Sequence, residues 1–196
     1  MSGSSDEAQA GALQEQELLA LVRQAQEGNV DAFEKLYKHF FVPVYRYAAF
    51  RLPREVAEDT VADIFVKAWE KLHRYRERRG VPFGAWLFRI ARHAVIDVYR
   101  SQRGFEEVPE DLPDPDPLNH PSRTLEQKEL LRVVRAALAE LPRRYREVLI
   151  LTFIAELPHS EIARVLHKTP GGVRVLKLRA LRRLETLLPP EYRNSA

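Results

Sequence analysis

Between Gly104 and Ser122 the chain carries five prolines (Pro109, Pro113, Pro115, Pro117 and Pro121) and six acids in 19 residues, with no helical period. Proline has no amide proton to donate and its φ is fixed, so this stretch can neither continue a helix nor join a strand ladder. The sequence on either side has the opposite character, with apolar residues recurring every three or four positions. The prolines therefore divide the chain, and the composition predicts an extended acidic linker over 104–123. Fully stretched, it reaches about 60 Å at 3.3 Å per residue.

The expected fold class is all-α: two small helical domains joined by that linker, with a helix-turn-helix in the C-terminal one. Residues 1–16 read as a disordered tail, because they hold little apolar surface to offset the entropy of ordering. The first domain covers 17–103. Periodicity begins near Glu17, with Leu18, Leu21, Val22 and Ala25 on one side, and stops at Gly28-Asn29. Asp31 is the expected N-cap of a second helix built on Phe33, Leu36, Tyr37, Phe40 and Phe41, which Pro43 bends or restarts. A third helix runs from about Val56 to Arg76, with Val61, Ile64, Phe65, Ala68, Trp69 and Leu72 on its buried side. After a basic stretch, a fourth helix follows Pro82 and runs to about Arg103. The second domain covers 124–190. It opens on a capping box, Thr124 to Gln127, breaks at Leu141-Pro142, and ends in two short helices, about 159–167 and 170–188. No strand pattern appears.

Charge is arranged in blocks. Residues 31–103 hold 15 Lys and Arg against 9 acids, and residues 124–188 hold 13 against 7, so each block is +6. The segment 104–123 is −5. Two basic blocks around an acidic spacer point to a polyanionic partner. No apolar run approaches the length of a membrane helix, the acidic N-terminus does not resemble a signal peptide, and there is no cysteine for a disulfide or thiolate metal site. A soluble cytoplasmic protein without cofactor, metal or membrane partner is expected.

The sharpest local pattern lies between Ser160 and Leu184. A helix-turn-helix needs a small residue where its helices cross and an aliphatic one on the second helix to meet it; Ala163 and Val173 stand at that spacing, with Ile162, Leu166 and Leu176 around them. Thr169 is placed to cap the second helix and Pro170 to occupy its first turn. His167 stands in the turn, where many such units have glycine, so the turn must be strained. The side opposite Val173, Leu176, Ala180, Leu184 and Leu187 presents Arg174, Val175, Leu178, Arg179 and Arg182. Arginine supplies bidentate donors for guanine edges and charge for phosphates, and the aliphatic pair suits thymine methyls. In the first domain, Arg89, Arg92, His93, Arg100 and Arg103 share one side of the fourth helix, opposite Phe83, Leu87, Ile90, Ala94 and Val98. Phe83 and Trp86 read as core, and Tyr75, in the basic loop, as the candidate for stacking on a base.

Four stretches in order carry a family resemblance: Asp31 to Tyr37 (DAFEKLY), Ala57 to Trp69 (AEDTVADIFVKAW), Phe83 to Asp97 (FGAWLFRIARHAVID), and Leu141 to Leu149 (LPRRYREVL) followed by the helix-turn-helix. Over residues 18–188 the chain resembles bacterial RNA polymerase sigma factors of the extracytoplasmic-function group, which consist of regions 2 and 4. The resemblance implies that Glu58, Asp59 and Asp63 dock on the β′ clamp helices of core RNA polymerase, with the β flap as a second contact. It implies that the loop bearing Arg74, Tyr75, Arg76, Arg78 and Arg79, with Arg89, Arg92, His93, Arg100 and Arg103, reads and melts the minus-ten promoter element. It assigns the minus-thirty-five element to Lys168, Thr169, Gly171, Gly172, Arg174, Val175, Leu178, Arg179 and Arg182. Promoter DNA and core polymerase are the implied partners, an anti-sigma factor a further candidate. The linker would run through a basic channel of the polymerase.

Two other classes compete. A stand-alone helix-turn-helix regulator would ordinarily dimerise on a two-fold site, whereas this chain has two unlike basic modules. A di-iron helical-bundle enzyme would use Glu-x-x-His pairs, and Glu70/His73 and Glu156/His159 have that spacing, but Pro158 interrupts the second. No P-loop or metalloprotease pattern occurs, so the chain is expected not to be an enzyme.

Overall fold

A computed structural model describes residues 3–76, 81–101 and 125–193. Among them the chain is helical throughout, without a strand. The helices are α1 Gly3–Gln26, α2 Val30–Ala49, α3 Arg54–Lys71, α4 Phe83–Ser101, α5 Leu125–Glu140, α6 Arg143–Phe153, α7 His159–Val165 and α8 Pro170–Leu187. The linker, and the capping box at Thr124, lie outside the described residues.

Proline punctuates this order. Pro53, Pro142 and Pro158 each precede the first residue of a helix, Pro170 occupies the first turn of α8, and the Pro82 carbonyl accepts the Trp86 amide as α4 begins. These are sites where a missing amide proton costs nothing. Pro43 departs from the rule, for α2 passes through it without restarting. The lost hydrogen bond is offset by burial on both sides, at Leu36, Phe40, Val44, Tyr45, Tyr47 and Ala48.

Four further expectations are corrected. The segment 1–16, read as a disordered tail, is helical from Gly3 onward; its alanine, glutamine and glutamate favour helix by intrinsic propensity, which does not require an apolar face. The N-cap of α2 is Asn29 rather than Asp31, with Asn29 Oδ1 accepting from the Ala32 amide at 3.0 Å. Gly28, at φ +93°, makes the left-handed turn that ends α1 and sets Asn29 in place. The third helix ends at Lys71, followed by a 3₁₀ turn Leu72–Arg74. Trp69, expected inside, is 38% exposed and lies edge-on to Phe33.

In the first half α2 packs on α1, α3 and α4, and in the second α8 packs on α5, α6 and α7. Arg146 ties α5 to α6 by donating to the carbonyls of Leu138, Ala139 and Leu141, where α5 ends. The halves also meet each other, chiefly through α4 on α7, and their buried side chains form one continuous core from Val22 to Ala180. A cavity of about 580 Å³ lies at the seam, lined by Phe40, Pro43 and Phe83 from one half and Leu157, Pro158 and Glu161 from the other.

Candidate nucleic-acid interface

The helix-turn-helix is built from its small core outward. Ala163 and Val173 are buried against each other's helices with Ile162, and Leu166 and Leu176 pack around them. The turn closes when the Lys168 amide donates to the Ala163 carbonyl at 2.8 Å. His167 takes the left-handed conformation there, at φ +54°, as the expected strained turn requires. Thr169 Oγ1 then accepts from the Gly172 amide at 3.0 Å, starting α8. A Cβ on Gly172 would stand 3.1 Å from that hydroxyl, so a glycine leaves the cap undisturbed.

This framework presents one side of α8 to solvent. Lys168, Thr169, Gly171, Arg174, Arg179 and Arg182 are exposed, and Gly172 is half-buried. Val175 is 49% and Leu178 50% exposed between the arginines. Among the described residues no ion pair or hydrogen bond engages Arg174, Arg179 or Arg182. The charge of Arg174 reaches His159, whose pKa is held below the usual imidazole range by partial burial first and then by Lys177 and Arg174.

The basic side of α4 is divided. His93 and Arg100 are exposed. Arg89 instead donates through Nε and a terminal nitrogen to the Arg164 carbonyl of α7, at 3.1 and 2.6 Å. Arg92 turns to the buried Glu147 of α6, its Nε 3.6 Å from the carboxylate. In the loop before α4, Arg74 and Arg76 are exposed, with Arg76 donating to the carbonyls of His73 and Tyr75. Arg78, Arg79 and Arg103 lie outside the described residues.

Tyr75 does not fit its expected role. It is 4% exposed, its hydroxyl donates to the Val81 carbonyl at 2.8 Å, and its ring meets Phe83 and Trp86. A phenol with both its ring and its hydroxyl engaged anchors the ends of the loop and is not free to stack on a base. Phe83 is core as expected, with Trp86 half-buried beside it.

On α3, Glu58, Asp59 and Asp63 are exposed, and Glu58 pairs with Arg54 at 2.9 Å. Val66, 57% exposed, extends the same strip one turn beyond Asp63. Sequence reasoning missed it, although an apolar residue off the buried arc of α3 was visible. It also missed Glu147 with its partners Tyr47 and Arg51 on α2, which no sequence spacing links. Neither Glu-x-x-His pair gathers a metal site: among the described residues no cluster of three potential ligands exists, and Glu156 instead pairs with Arg46 at 3.3 Å.

Comparison with known proteins agrees with this geometry. The family model for Sigma-70 region 2 matches residues 36–105, and that for Sigma-70, region 4 matches residues 131–184. The ECF RNA polymerase sigma factor BldN of Streptomyces coelicolor is 35% identical over 182 residues, covering 90% of this chain and 67% of the relative. The ECF sigma factor ShbA of Streptomyces griseus is 34% identical, covering 86% of this chain and 93% of the relative. Among solved structures, CnrH in complex with the cytosolic domain of CnrY aligns with a TM-score of 0.65 at 32% identity, over 86% of this chain and 94% of that one. With both regions matched in order on the corresponding helices, the chain belongs to the ECF sigma factors of RNA polymerase.

Proposed function

We infer that this chain binds core RNA polymerase and directs promoter recognition and opening at the start of transcription, lending sequence selectivity to the polymerase's chemistry and supplying no catalytic group of its own. The single observation that carries the reading is the outer side of α8, where Arg174, Arg179 and Arg182 alternate with the half-exposed Val175 and Leu178. Such a surface suits base edges and phosphates in a major groove. In this reading residues 124–190 read the minus-thirty-five element through Lys168, Thr169, Gly171, Gly172 and that side of α8. Residues 17–103 open the minus-ten element with Arg74, Arg76, Arg78, Arg79, Arg89, Arg92, His93, Arg100 and Arg103. Glu58, Asp59 and Asp63, joined by Val66, dock on the β′ clamp helices, the second half meets the β flap, and 104–123 tethers the halves.

The site of action is the cytoplasm, where the polymerase works. CnrH was solved with the cytosolic domain of a second protein, which supports a protein partner, of the anti-sigma kind, for this chain as well.

Run-off transcription with core enzyme tests the assignment. Replacing Arg174 and Arg179 with alanine should lower transcription from a cognate promoter by about tenfold or more, since each lost base contact costs on the order of 1–3 kcal/mol. Binding to core should persist; its loss would undo the assignment. Asp59→Lys with Asp63→Lys should do the reverse, and unchanged affinity for core would remove those acids from the docking role. Tight, specific promoter binding without core would favour a stand-alone regulator.

A further inference from the structure

We propose that the isolated chain rests in a closed state that covers the promoter-facing side of α4, and that the buried Glu147 is the latch holding it closed. Glu147 belongs to α6 in the second half, yet both carboxylate oxygens are used by the first half. Oε1 accepts from the Tyr47 hydroxyl at 2.8 Å and Oε2 from an Arg51 terminal nitrogen at 2.9 Å. Arg51 is itself fixed, donating to the Tyr47 carbonyl at 3.1 Å and lying over the Tyr47 ring at 3.9 Å. Arg92 approaches the same carboxylate from α4. A carboxylate this buried depends on such partners for its hydrogen bonds, and removing one leaves an uncompensated polar group.

Two further contacts across the seam place a cation of the first half on an acceptor of the second, while Arg135 of the second half lies over the Phe50 ring of the first. Arg89 donates to the Arg164 carbonyl at the end of α7, and Arg46 pairs with Glu156. Arg89 and Arg92 are two of the side chains assigned to the minus-ten element, and neither can serve DNA while it holds the second half. The proline-rich sequence between the halves, about 60 Å if fully stretched, is long enough for them to separate. The switching role thus rests on the promoter assignment of α4, whereas closure itself rests on the contacts alone.

The absence of cysteine allows a clean measurement. A donor and an acceptor dye are placed on the full chain at Lys35→Cys and Glu185→Cys, both exposed positions on opposite halves. High energy transfer is expected in the free protein. Glu147→Gln keeps the side chain's shape and removes its charge, and should shift the equilibrium toward the open form by at least about tenfold, the scale of a hydrogen bond to a charged group. Tyr47→Phe should shift it less, in the same direction. Adding core polymerase and promoter DNA should lower transfer in the otherwise unaltered chain at least as far as Glu147→Gln does. Low transfer in the free unaltered chain, or transfer that neither substitution lowers, would overturn the latch. If Glu147→Gln loses helical circular dichroism, Tyr47→Phe alone decides. Transfer that responds as expected in a protein that never supports transcription would instead sink the promoter reading and leave the latch standing.

Discussion

Burial raises the pKa of Glu161 to about 7, and the charge of Glu15 pushes it the same way. The carboxyl stands at the seam, beside the start of α4, where a Cβ on Gly84 would overlap it, and its Oε2 has no hydrogen-bond partner. His39 and Ser160 line the same cavity. The folded chain therefore keeps this proton in a pH range where the unfolded chain, near 4.5, has released it. More protons bound in the folded state means that stability falls as pH rises from about 4.5 to about 7, and levels off above. Glu161→Gln removes that slope. The difference in Tm between the two proteins should be small near pH 5 and several degrees near pH 8, in favour of the variant; parallel curves would show that the acid does not titrate in this window. Single residues were also where sequence reading fared least evenly. Arg174 and Arg179 were legible because an arginine opposite a packed apolar arc has only solvent to face. Tyr75 was misread because sequence shows a tyrosine among arginines but not the Val81 carbonyl that claims its hydroxyl.

At the level of helices, local rules served well wherever the chemistry is local. Thr169 and Pro170 specify the start of α8 by a hydroxyl and a fixed φ, and Ala163 and Val173 specify the crossing of α7 and α8 by size. Thr169→Ala removes the acceptor of the Gly172 amide and should cost about 1 kcal/mol in urea unfolding, while Thr169→Ser should cost little. Equal losses in the two variants would mean that the methyl group, not the cap, matters. Rules fell short where burial carried α2 through Pro43 without a restart, or where two acceptors competed, as Asn29 displaced Asp31 two residues on. The start of α1 was missed for the opposite reason, since propensity sufficed where an apolar pattern was sought.

For the molecule as a whole, the two regions were readable in order, but the docking of one half on the other was not. Tyr47 and Glu147 are 100 residues apart, and only the fold brings them together. Because the buried side chains form one continuous core, calorimetry should find a single cooperative unfolding transition, with calorimetric and van't Hoff enthalpies in agreement. Two resolved transitions would mean that the halves are held too weakly to melt together. Arg89 cannot cap an α7 carbonyl and grip a phosphate at once, and this exclusivity has a quantitative effect. Under the proposed latch, a promoter complex would draw only on molecules that have already come apart, so apparent affinity would be the intrinsic value scaled by their share. If about one molecule in a hundred is free at any moment, binding is weakened about a hundredfold. Output would then track the amount of polymerase available to trap that minority, giving a reserve that stays silent even before any second protein binds it.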